Sequence, residues 1–193
     1  MILTKLKTFA IADKGVAAIE TALILPFLLI LYFGMIDLTQ LISLNRKVTY
    51  AASVVADTTS QNRTTVLNTS IADYYKAVEL IMSPTPLSSV NVKLYGYRLQ
   101  SGSPQLIWKT QKGSGPNCTT TPQTSSMASL MTAGNDIIVA VTCMRYTPYM
   151  ATFLGEQILG DTSFGLEQAV MLRPRSTLTL ECRVGSAAGA LCT

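Results

Sequence analysis

The stretch VAAIETALILPFLLILYFGMI, residues 16–36, decides how the chain is read. It holds a single charged residue, Glu20, in 21 positions. At 1.5 Å per residue a helix over it is about 31 Å long, against roughly 30 Å for the hydrocarbon core of a bilayer. A secretory signal has a shorter apolar core closed by a small-x-small cleavage site. Here no such site follows, and the sequence runs on as LTQLISLNRKVTYAASVVADTTSQ, which still reads as helix. The leading segment MILTKLKTFAIADK carries Lys5, Lys7 and Lys14 against one acid, Asp13. Basic flanks stay on the cytoplasmic side, so residues 16–36 are expected to be a single-pass anchor with the bulk of the chain exported.

Two residues inside the run are costly for a passive anchor. A charge at bilayer depth costs about 3 kcal/mol, so Glu20 needs either the interface or a partner. Cleavage after Gly15 supplies a partner: a new α-amino group on Val16, four residues earlier and one helical turn away, within the helix or between neighbouring subunits. Pro26 removes a backbone hydrogen bond and is expected to kink the helix, which membrane helices tolerate when neighbours compensate.

These residues carry a resemblance. Gly15-Val-Ala-Ala-Ile-Glu20-Thr-Ala-Leu-Ile-Leu-Pro26 resembles the start of the TadE-like minor pilins, or pseudopilins, of the tight-adherence (Tad) pilus system. In that family a basic leader ends in Gly, a glutamate stands fifth in the mature chain, and Ala-Leu-x-x-Pro follows in a long apolar helix. The resemblance implies that an inner-membrane prepilin peptidase cuts between Gly15 and Val16, and that Glu20 serves recognition and assembly. Thr21 stands where the family usually has an aromatic residue. The implied partners are other pilins and pseudopilins through the N-terminal helix, the prepilin peptidase and the inner-membrane assembly platform. The implied place is the inner membrane, with the C-terminal domain periplasmic, and the pilus at the cell surface after assembly. The competing readings are an uncleaved bitopic scaffold of a pilus or secretion machine and a membrane-anchored periplasmic enzyme.

The expected layout is a cytoplasmic leader (1–15), the transmembrane helix (16–36), its extension outside the membrane (37–60) and a periplasmic α+β domain (61–193). Leu41, Leu44, Val48, Ala52 and Val55 recur at helical spacing, so the helix is expected to continue to about Ser60 and to bury one stripe. A second helix is expected over Thr65–Met82, with Leu67, Ile71, Tyr74, Val78 and Ile81 inward and Ser83-Pro84-Thr85-Pro86 ending it. Strands are expected from Val90, after the turn Ser101–Pro104 in QLIWKT, over Asp136–Tyr146 and Ser163–Arg173, and at an edge over Ser176–Arg183. DIIVAVTCMRY, apolar on both faces, reads as a central strand. A short helix is expected over Ser125–Met131 and another in YMATFLGEQIL, and TQKGSGPNCTTTPQTSS as an exposed loop. The sum is an α+β pilin-like plan, an antiparallel sheet on the outer half of the long helix.

Composition narrows the chemistry. Charged residues are 13% of the 193, against about 25% in an average protein, and the net charge of +4 is not gathered into a basic face, so nucleic acid is not an expected partner. There is no His, which removes the commonest general base and the mixed Cys/His zinc sites. No nucleophile elbow, P-loop, dinucleotide fingerprint or calcium loop is present; no catalytic residue, metal or cofactor is expected. Four cysteines, Cys118, Cys143, Cys182 and Cys192, allow three pairings; in an exported domain Cys182 with Cys192 and Cys118 with Cys143 are favoured, and four free thiols remain the other reading. Tyr95, Tyr97, Trp108, Tyr146 and Tyr149 are candidates for an adhesive surface patch or, more ordinarily, for core packing.

Overall fold

The computed structural model describes residues 16–63, 65–85, 89–119, 127–129, 131–132, 134–154, 163–175, 179–186 and 189–192. The expected leader, Gly15 included, lies outside them, as do Ser125, Ser126 and Leu130 of the expected 125–131 helix, in which Met127 and Ala128 are helical. The chain forms two compact units, Met1–Leu41 with Thr147–Thr162, and Ile42–Tyr146 with Ser163–Thr193.

One helix, α1 (Val16–Ser60), contributes to both units and runs unbroken through Pro26. In the first unit its residues 16–32 are exposed on every side, and burial starts at Phe33, Ile36 and Asp37. A helix that is apolar all round and not buried in protein needs an apolar surrounding. Its most apolar 18-residue window has a mean hydropathy of 2.3, enough by length and composition to cross a membrane.

The second unit is built on β1 (Thr65–Leu67), α2 (Asn68–Met82), β2 (Val90–Gln100), β3 (Ser103–Lys112), β4 (Asp136–Tyr146), β5 (Phe164–Leu172) and β6 (Glu181–Arg183). The short helix α3 (Tyr149–Leu154) falls between β4 and β5 in sequence but belongs to the first unit. Four strands make an antiparallel sheet in the order β3-β2-β4-β5. The fold is α+β: a long apolar N-terminal helix and a small domain with a four-stranded antiparallel sheet. β2 and β3 meet at a two-residue turn, Ser101-Gly102, both at positive φ, so Ser103 and Pro104 already lie in β3. Pro104 is tolerated there because β3 is an edge strand.

Both faces of the sheet are covered. On one face Val90, Val92, Leu94, Ile138, Ala140 and Met144 form a core with Val48, Ala51, Val55 and Ala56 of α1 and Ile71, Tyr75, Val78 and Met82 of α2. Small alanines on α1 permit close approach to the sheet. Trp108 belongs to this core and lies over Gly96, its register partner; a Cβ on Gly96 would come within 2.2 Å of the indole nitrogen. On the other face Tyr97, Ile137, Val139 and Val141 pack with Met127 and Met131. β4 is thus buried at all positions but Arg145, which is why its sequence has no polar side.

The segment after β3, expected as an exposed loop, is a strap in its described part. Gly113, at φ +114°, passes so close to β2 that a Cβ would lie 2.0 Å from the Val90 carbonyl oxygen. The strap then crosses one register row of the sheet, Asn91–Cys143–Glu167. Cys118 is bonded to Cys143, and the Thr119 backbone N–H and hydroxyl both donate to Glu167 Oε2, at 3.0 and 2.9 Å.

Two expectations are corrected. The segment from Thr65 opens as strand, not helix, and α2 buries Ile71, Tyr75, Val78 and Met82, one position round from the expected Tyr74 and Ile81, which are half-buried flanks. The expected edge strand over Ser176–Arg183 is, among the described residues, only Glu181–Arg183, and it pairs in parallel with β1 in a separate two-stranded sheet. The cause is a clamp on Leu180. Its N–H donates to the Asp136 carboxylate at 2.6 Å, and its carbonyl accepts the Trp108 indole N–H at 2.8 Å. Asp136 is 2% exposed and also takes a two-pronged bond from Arg98, at 2.7 and 2.9 Å. Those hydrogen bonds raise the Arg98 guanidinium above its ordinary pKa, with burial opposing them. Cys182, bonded to Cys192, fixes the same segment from the other side.

Candidate functional site: the exposed apolar helix

No cluster of three or more His, Cys, Asp or Glu suited to a metal occurs among the described residues. The surface that remains to be accounted for is the first half of α1. Val16 and Glu20 stand one turn apart on it, both exposed, and no basic side chain among the described residues pairs with Glu20. Val16 opens the helix, so an ammonium placed there sits where Glu20 can reach it along the helix surface.

The polar atoms of the run are handled locally. Thr21 donates its hydroxyl to the Ala17 carbonyl at 2.8 Å, so the residue that replaces the usual aromatic brings no unsatisfied donor to the apolar surface. Pro26 has no N–H, which leaves the Ala22 carbonyl without its ordinary helical donor. That carbonyl is an acceptor open to a neighbouring side chain or water. The structure therefore places Val16, Glu20 and Pro26 on one exposed helical segment, with Gly15 outside the described residues. The four cysteines are in the second unit.

The aromatic patch does not assemble. Trp108, Tyr97 and Tyr146 are buried, Tyr95 is half-buried against the second core, and Tyr149 is exposed on α3 in the other unit. Aromatics at strand positions went to packing, as most do.

Asp37 was not singled out from the sequence. It is 8% exposed although it follows an exposed run, and its two carboxylate oxygens accept the backbone N–H groups of Tyr149 at 2.8 Å and Met150 at 2.9 Å. The only signal in the sequence was an acid directly after the last apolar residue of the span; its partners lie more than a hundred positions away.

Residues 15–57 match the model of a family described as TadE-like protein. The N-terminal helix is TadE-like. The match opens at Gly15 and stops within α1, so it takes in the exposed run, Glu20, Pro26, Asp37 and the stripe that packs on the sheet, but none of the strands. No curated protein and no solved structure matches the chain. The TadE-like family is a family of structural, membrane-associated pilus components rather than of enzymes. Over residues 15–57, then, the chain is similar to a Tad pilus-associated family, and the helix that carries the likeness is apolar.

Proposed function

We propose that this chain is a structural or assembly subunit, a minor pilin or pseudopilin, of a Tad-type pilus, anchored in the inner membrane by residues 16–36 and processed by a prepilin peptidase after Gly15. The observation that carries the reading is the TadE-like match over residues 15–57, on a helix whose first half is apolar and bare. Uncut, the leader's Lys5, Lys7 and Lys14 hold the N-terminus in the cytoplasm. Cutting removes them and creates the Val16 ammonium. Paired with a Glu20 carboxylate, its own or a neighbour's, that charge lets two helices align in an apolar medium without a bare ion. Pilins, the peptidase and the assembly platform are the partners of such a helix, and the exported domain faces the periplasm until assembly.

N-terminal sequencing of the mature native protein tests this directly. The expected first residue is Val16. Retention of Met1–Gly15 would instead support an uncleaved bitopic scaffold. Glu20→Ala is expected to abolish assembly into pili while the protein still accumulates in the membrane. Normal piliation in that variant would refute the role given to the carboxylate.

A further inference from the structure

Asp37 stands 21 residues after Val16, about 31 Å along an ideal helix, and so at the far boundary of a span that begins there. At that height the first compact unit brings in α3. The Asp37 carboxylate accepts the Tyr149 and Met150 N–H groups, which fastens the start of α3 to α1. Of its described side chains, Ala151 is buried and Tyr149 is 62% exposed. Beyond Asp37, α1 still exposes Leu38 (58%) and Ile42 (47%), and no basic residue occurs until Arg46. Arg46 lies nine positions beyond Asp37, about 13 Å of helix, roughly two headgroup layers. Exposed apolar side chains continue through the first of these, joined by a tyrosine, whose apolar ring and polar tip suit the membrane–water boundary.

We infer that α3 is an interfacial foot: it rests on the lipid headgroup surface at the C-terminal boundary of the span, held at that height by Asp37. The occupant of its exposed side is lipid, because α1 exposes Met35 (73%) and Leu38 (58%) on either side of Asp37, at the level where Tyr149 is presented. The foot limits how deep the helix sits, and Asp37 is a positioning residue. Its carboxylate accepts two peptide N–H groups at the level of the bilayer edge, charge-assisted bonds that fix where α3 begins. The inference rests on residues 16–36 being a membrane anchor.

The test uses the full chain carrying Tyr149→Trp in vesicles of phosphatidylcholine and phosphatidylglycerol, with acyl chains brominated near the headgroup or near the bilayer centre. The parent chain, whose only tryptophan is the buried Trp108, gives the background. Fluorescence of the introduced indole is expected to be quenched at least twofold more by the shallow bromines than by the deep ones. Adding Asp37→Ala, or Met150→Pro, which deletes one donor and leaves α1 untouched, is expected to halve the shallow quenching while the protein still floats with the vesicles. Floating protein whose introduced indole is quenched no more than background overturns the foot, as does quenching that both added substitutions leave unchanged. Protein that fails to float overturns the anchor reading instead.

Discussion

Tyr75 is one of eight tyrosines, and its hydroxyl is buried in the core between α2 and the sheet. Burial pushes its pKa up to about 12 from the ordinary 10; Thr110 beside it offsets only part of the cost, since no hydrogen bond of full geometry reaches the hydroxyl. A raised pKa in the folded state means the neutral phenol is favoured by folding. That contribution is fully present below pH 10 and is lost as pH rises from 10 towards 12. The loss amounts to about 2–3 kcal/mol. Tyr75→Phe is expected to leave stability at neutral pH unchanged or slightly raised, because it removes an unsatisfied buried group, and to remove this alkaline loss. Chemical denaturation of the full chain in detergent at neutral pH and at pH 11 checks both arms. Glu20, Thr21 and Pro26 were readable one residue at a time because each is unusual in its apolar surroundings. Tyr75 was not, since an aromatic at helical spacing looks the same whether it lies at the centre of a buried stripe or beside it.

At the scale of elements, legibility followed the distance over which each signal acts. α1 was readable along its whole length because its pattern is local: an all-apolar turn sequence, then a stripe at Leu44, Val48, Ala52 and Val55. β4 was readable because burial on both faces leaves no polar alternation to confuse it. β1 was missed because its pairing partner, β6, is 116 positions away at Glu181, and helical periodicity through Thr65–Leu67 is undisturbed by a partner so remote. The packing of α1 on the sheet depends on Ala51 and Ala56, both fully buried, as spacers. Ala51→Leu is expected to overpack that contact and lower stability by about 1–3 kcal/mol. Tyr50→Ala, on the exposed side one residue earlier, is expected to change it by less than about 0.5 kcal/mol. Thermal unfolding of both variants with the disulfides intact distinguishes the faces.

At the scale of the whole molecule, the second unit is closed by its cross-links. The Cys118–Cys143 bond spans 25 positions and ties the strap over the second core, and Cys182–Cys192 ties the terminal segment beside β6. Replacing Cys118 and Cys143 together by Ser is expected to cost about 3 kcal/mol, a fall of roughly 6–12 °C in Tm for a chain of this size. Because the strap lies over Val139 and Val141, the same variant is expected to bind an apolar dye before it unfolds, which loss of loop-closure entropy alone would not produce. Unchanged dye binding at the native baseline would show that the strap stays seated without its bond.

The sequence by itself determined the long apolar helix, its resemblance to TadE-like pilins, the α+β class and the central strand, because each is written in neighbouring residues as length, charge spacing or periodicity. Tertiary structure alone decided which of three cysteine pairings is made, that the Gly-rich segment is a strap, that Leu180 is clamped between Asp136 and Trp108, and that Asp37 receives the start of α3. Those contacts join residues tens to more than a hundred positions apart. Each is a disulfide, a close backbone approach or a hydrogen bond to one specific partner that offsets the cost of burying a polar group, and no local pattern records which partner the folded chain supplies.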